Sequence, residues 1–205
     1  MLIIGRGTAI VQEKEDIEYN LTGELSRIQR DMVPVLEVVE STSDFMFEEL
    51  NSIGQYPFFI FRAGRLAYWS DYRYVPEYKI IRGNYRYRFI NDLRKSYLVR
   101  RWEIANKALE VYAILPLYTG YKIENDYIKS SCNPSVFPIQ NVTLGSINSV
   151  KGDLICLGED NCLFKVVIDD SRHLPLTSSP LNIWIILTGT ILLVIVLFRL
   201  SNWLS

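Results

Sequence analysis

With 205 residues, three cysteines and one histidine, the chain is long enough for one domain with a real core and too poor in ligands for a zinc site. The net charge of −1 hides an uneven spread. Residues 12–50 hold eleven acids and three bases, whereas residues 62–102 hold eleven bases and three acids. Two explanations are open: the acidic segment packs beside the basic one, or the basic segment lines an anion-binding pocket.

At the start, Met1-Leu2-Ile3-Ile4-Gly5 is too short for a signal peptide or a spanning helix. A domain outside the cytoplasm would therefore require an export element upstream. From about Glu13 to Asn51 the pattern is helical, with Ile17, Leu21, Leu25, Ile28, Met32, Val35, Val39, Met46 and Leu50 recurring at three- and four-residue steps. Pro34 predicts a kink, because it has no N–H for the helical ladder. Ser41-Thr42-Ser43-Asp44 reads as a stop followed by a new N-cap, giving two helices in line. Such an amphipathic helix permits a parallel homodimer without demanding one.

Strands follow. Residues 57–62 and 65–70 are joined by Ala63-Gly64, a two-residue hairpin signal. Residues 72–83 read as a loop containing Pro76. Tyr85-Arg86-Tyr87-Arg88-Phe89 alternates strictly, which predicts three rings on one sheet face. Residues 97–104 and 108–117 form a second hairpin around Ala105-Asn106-Lys107. Residues 121–131 suggest a short helix ending before Pro134, and short strands are expected near 136–139, 153–156 and 163–168. The fold class is α+β: a long N-terminal helix, in one piece or broken in two, packed on an antiparallel sheet. The segments are 1–52, helical; 53–175, the sheet domain; and 176–205, a tether and membrane helix.

Between Ile183 and Phe198 there is no charge, and Leu, Ile and Val dominate. The run Leu181 to Leu204 has the length and composition of a membrane-spanning helix. Trp184 and Trp203 bracket it at positions suited to the two water boundaries, and Arg199 can snorkel to the nearer one. Positive residues favour the cytoplasmic side, so Arg199 leans toward an external domain.

Cys156 and Cys162 flank Leu-Gly-Glu-Asp-Asn, which reads as a hairpin loop, and they form a disulfide if the compartment is oxidising. Three ordinary thiols is the competing reading. No nucleophile elbow, phosphate-cradling glycine loop or His–carboxylate pair is present, so no catalytic residue is assigned and no cofactor is implied. The Tyr-Arg alternation at 85–89 is open to three readings: a half-buried strand, a pocket for carboxylates, or a grip on single-stranded nucleic acid. A membrane tether ranks nucleic acid last.

One stretch carries a resemblance. Pro57-Phe58-Phe59-Ile60-Phe61-Arg62 and Leu66-Ala67-Tyr68-Trp69-Ser70-Asp71 resemble the paired strands of an extracytoplasmic sensor region of bacterial two-component sensor histidine kinases. The likeness continues through Ala113-Ile114-Leu115-Pro116-Leu117-Tyr118 and Tyr121-Lys122-Ile123-Glu124-Asn125-Asp126, over roughly residues 45–200. It implies a periplasmic Cache/PAS-like module that senses a small ligand or the envelope state and relays it through a membrane helix. The histidine box and ATP-binding box of that family are absent from this sequence. The chain itself is therefore expected to have no enzymatic activity, while a full-length parent is expected to be a histidine kinase in the inner membrane. Candidate ligand residues, chosen where rings and charges alternate, are Tyr68, Trp69, Asp71, Tyr87, Arg100, Trp102 and Tyr112, facing a small anionic ligand. The alternative is a tail-anchored interaction protein facing the cytosol.

Overall fold

The computed structural model describes residues 4–41, 50, 53–92, 94–104, 108–138, 142–158, 161–168, 188 and 199. The chain divides into two compact units, Met1–Asp169 and Asp170–Ser205. The second unit is described only at Thr188 and Arg199, both helical. No helix among the described residues is long and apolar enough to cross a membrane. The predicted span at 181–204, with Trp184 and Trp203, otherwise lies outside the described residues.

The first unit opens on helix α1, Ile4–Asp31, which starts nine residues before the periodic pattern suggested. Helix α2, Val33–Ser41, continues it after a break at Met32. The break has its cause in Pro34: a proline at this position can give no N–H to the Arg30 carbonyl, so the ladder loses a rung. Flanking rungs survive, with Met32 N–H donating to the Ile28 carbonyl at 3.0 Å and Leu36 N–H to the Met32 carbonyl at 2.9 Å. The result is one bent helix. Ile17, Leu21, Leu25, Ile28, Met32, Val35 and Val39 form its buried stripe, and each such burial contributes about 1.5–3 kcal/mol.

The larger sheet is antiparallel in the order β2-β1-β5-β4-β3. Its strands are β1 Phe58–Arg62, β2 Arg65–Trp69, β3 Tyr87–Asp92, β4 Lys95–Ile104 and β5 Leu109–Thr119. A two-residue strand, β6 Ser131–Cys132, adds to the end of β5. A smaller sheet has the order β7-β9-β8, from β7 Val142–Gly145, β8 Asp153–Cys156 and β9 Cys162–Ile168. Both predicted hairpins form. At the first, Ala63 (φ 48°) and Gly64 (φ 77°) both take the left-handed conformation, the type I′ geometry whose twist matches the flanking strands.

Alternation along the strands sorts side chains into two cores. Phe58, Ile60, Leu98, Val111, Ala113 and Leu115 share the main core with the stripe of α1 and α2. Phe59, Phe61, Val99, Tyr112 and Ile114 point the other way, where Tyr78, Ile81 and Tyr85 pack on them. The segment between β2 and β3 supplies that cover; it contains a 3₁₀ turn, Tyr72–Tyr74, and a short helix α3, Tyr78–Ile81. This explains the unbroken apolar run at 58–61, since a strand buried on both faces needs no polar alternation.

Three local expectations are corrected. The rings at 85–89 do not share one face: Tyr87 and Phe89 join the helix-side core, while Tyr85 joins the opposite one. Pairing with β4 begins only at Tyr87, and the chain bends through 83–86, so the period of two does not reach back to Tyr85. Residues 121–131 form no helix. Asn125 instead takes Tyr127 N–H at 2.9 Å and Ile128 N–H at 2.8 Å on its side-chain oxygen, a local turn that competes with helix. Val136 and Phe137 lie in a turn closed on the Asn133 carbonyl, and the strand of this region is β7.

Candidate functional site

Even-numbered residues of β4 face the helix, which puts Leu98, Arg100 and Trp102 on one side of the sheet. Arg100 pairs with Tyr87 on β3 and with Ala113 on β5. Ala113 has only a methyl group to occupy its place, leaving room for the long side chain next to it. The guanidinium lies 4.7 Å from the Tyr87 ring centroid and 4.9 Å from that of Trp102. Such faces attract cations.

Arg100 is only 8% exposed. Its Nη2 donates to Oε1 of Gln29 on α1 at 2.8 Å, while Nε and Nη1 make no hydrogen bond. Among the described residues no carboxylate pairs with it. Burial, the largest influence, pushes its pKa below the ordinary arginine value, against the opposing effect of Tyr87. A desolvated charge held by two rings and one neutral amide is incompletely compensated.

Gln29 and Tyr87 also belong to the wall of a cleft of about 490 Å³ between α1, the start of β3 and the loop after β8. From the helix come Leu25, Ser26 and Arg30, and from the strand side Arg86. Leu157 and Asn161 close it from the loop. A disulfide between Cys156 and Cys162 ties the two ends of that loop together. Glu18 holds the same point from the helix, its carboxylate accepting Cys156 N–H at 2.9 Å. The Arg86 guanidinium also lies over the Tyr87 ring, 5.5 Å from its centroid. The third cysteine, Cys132, is a buried free thiol whose pKa burial raises.

No family model, curated protein or solved structure matches this chain. The site is therefore read from its own geometry.

The sequence-predicted ligand residues are divided by the fold. Tyr87, Arg100 and Trp102 come together, with Tyr87 on the cleft wall and the Arg100 guanidinium against its ring and that of Trp102. Tyr68 is buried in the main core against Phe58, ring centroids 5.2 Å apart, and desolvation raises its pKa. Trp69 is half exposed on the edge strand β2. Asp71 caps the 3₁₀ turn, accepting Arg73 N–H at 2.8 Å, and Arg73 holds its carboxyl below the usual range. Tyr112 packs edge-on against Phe61 in the opposite core. Sequence reasoning missed Gln29, Arg30 and the loop residues. Gln29 and Arg30 read as solvent face because they fall between stripe positions. Arg86 sat inside the Tyr-Arg alternation, so a signal existed for it.

The opposite face carries a second polar cluster. Arg101 reaches Glu110 at 2.7 Å and Glu103 at 2.8 Å, and the Tyr78 hydroxyl donates to Glu110 at 2.6 Å. These partners lock α3 onto β5. The cluster is internally compensated and reads as a structural clasp.

Proposed function

We propose that this chain is the extracytoplasmic sensory input module of a membrane signal-transduction protein of the histidine-kinase type, with a membrane helix over 181–204. The observation that carries the reading is the Arg100–Gln29 bridge. A buried, undercompensated charge on the sheet is tied to the long helix through one neutral hydrogen bond, at the wall of an open cleft. An anion entering that cleft competes with Gln29 for the field of Arg100 and so acts on α1. A helix of 28 residues carries a displacement over about 42 Å. A ligand shifts such an element only by binding its two positions unequally.

Three further features support the reading. The Cys156–Cys162 disulfide suits an oxidising compartment. The uncharged run at 183–198, with Trp184, Trp203 and Arg199 near its borders, suits a span whose Arg199 side is cytoplasmic. A long helix on an antiparallel sheet is compatible with the Cache/PAS-like resemblance.

Topology decides between this reading and a tail-anchored domain. Tyr127 is 96% exposed, Cys132 is 2% exposed and the other two cysteines are bonded. Tyr127→Cys therefore adds one reactive thiol to a chain that otherwise offers none. In cells expressing the native gene, a membrane-impermeant maleimide is expected to label this variant with the inner membrane intact. Labelling only after that membrane is broken would place the domain in the cytosol and overturn the proposal.

A further inference from the structure

We infer that the cleft between α1 and β3 binds a small organic carboxylate with an apolar body. This rests on the reading of that cleft as the input site and names the class of molecule it takes.

Charge is the first argument. Arg30 and Arg86 line the cleft, and Arg100 stands directly behind Gln29 and Tyr87. No carboxylate lies among its described lining residues, and among the described residues neither Arg30 nor Arg86 makes an ion pair. Two guanidinium groups thus line one concavity and a third lies behind its wall, with no carboxylate among the described lining residues. Arg100 is nine-tenths buried with two nitrogens unbonded, an uncompensated positive charge next to the cleft wall. Because Gln29 Oε1 accepts from Arg100, its amide nitrogen remains a donor, a fourth group suited to an anion.

The lining also decides what kind of anion. Guanidinium is a planar fork that meets a carboxylate through two parallel hydrogen bonds. Leu25, Leu157 and the Tyr87 ring supply apolar wall beside the basic end. Inorganic phosphate would leave that wall facing water, whereas a carboxylate with a hydrocarbon or aromatic body covers it. The volume of about 490 Å³ is in the range of small-molecule sites, about 300–1,000 Å³.

The test is calorimetric titration of the full chain in detergent with benzoate, its neutral isostere benzamide, and inorganic phosphate. Benzoate is expected to bind, with benzamide at least about tenfold weaker. Arg86→Gln is expected to lower benzoate affinity by about tenfold, since it removes one fork of the site. Arg86 is exposed, so the variant's unliganded melting temperature is expected to match the parent's. Benzamide binding as tightly as benzoate, unchanged affinity in Arg86→Gln, or no benzoate binding would each overturn the site. Phosphate binding more tightly than benzoate would overturn the carboxylate class. The two proposals fail separately. Benzoate binding by a chain whose domain faces the cytosol keeps the site and removes the sensory role; an external domain that binds none removes the site alone.

Discussion

Glu110 shows how one residue on the sheet couples stability to pH. Burial alone would raise its carboxyl, but hydrogen bonds from Tyr78 and Arg101 outweigh that and hold the pKa below the ordinary glutamate value. A depressed folded-state pKa contributes stability that is complete above the unfolded value, about 4.3, and is lost as pH falls through the folded one. Glu110→Gln should therefore flatten the acid limb of the stability curve and lower neutral-pH stability by about 1–3 kcal/mol. Urea midpoints measured at pH 7 and across the acid range check this; an unchanged acid limb would remove Glu110 from the account. Ala63 makes the opposite prediction. It sits at φ 48° in the β1–β2 turn, a conformation that Asn tolerates better than Ala. Ala63→Asn should raise stability by about 0.5–1 kcal/mol. Gly64→Ala should lower it, because the new Cβ would lie 3.0 Å from the Tyr78 ring. Thermal melts of the two variants should move in opposite directions.

At the scale of elements, local chemistry decided what the sequence made legible. The β1–β2 hairpin and the Pro34 kink were readable because each has its cause within a few residues, Ala63-Gly64 and a missing N–H, and β4 and β5 because two long apolar runs lie next to each other in the chain. The burial of both sheet faces was not readable from the alternation at 85–89, because what covers the second face is a segment beginning a dozen residues earlier. Likewise Arg100 and Trp102 were visible as candidates, yet Gln29 became their neighbour only through a contact 71 residues apart. The loop after β8 is the element on which cleft and fold meet. Its disulfide closes a short ring, with the cysteines six positions apart, and closure of so short a loop is worth about 2 kcal/mol. Replacing both cysteines by serine should cost that much in urea unfolding. It should also weaken benzoate binding, because Leu157 and Asn161 lose their fixed spacing. A double-serine chain that binds benzoate as before would show that the helix and β3 alone define the cleft.

For the whole first unit, the question is whether α1 is held tightly enough to pass a change along its length. Polar side chains of the helix, among the described residues, hydrogen-bond to other parts of the unit. Glu18 takes Cys156 N–H, and Glu24 takes the Tyr56 hydroxyl at 2.6 Å. Gln29 takes Arg100, and Asp31 takes Gln55 N–H at 2.8 Å and Tyr56 N–H at 3.1 Å. Between them runs the buried stripe from Ile17 to Met32. The helix is thus fixed at both ends of its packed section, and opening it requires losing the main core. By contrast, residues 121–129 are all exposed and are held mostly by the side chains of Asn125 and Glu124. Amide exchange should separate the two. Residues 21–32 are expected to exchange only through global unfolding, together with β4 and β5, while 122–129 exchange through local opening orders of magnitude faster. Saturating benzoate should then add protection around Gln29, Tyr87 and Leu157 and leave 122–129 unchanged. If residues 21–32 exchanged as fast as the 122–129 loop, α1 would be a frayed appendage and could carry no displacement from the cleft. If they are protected but indifferent to benzoate, the helix is structural and the cleft is not coupled to it. Protection that grows with ligand along α1, and nowhere on the distant loop, is the pattern a transmitting helix requires.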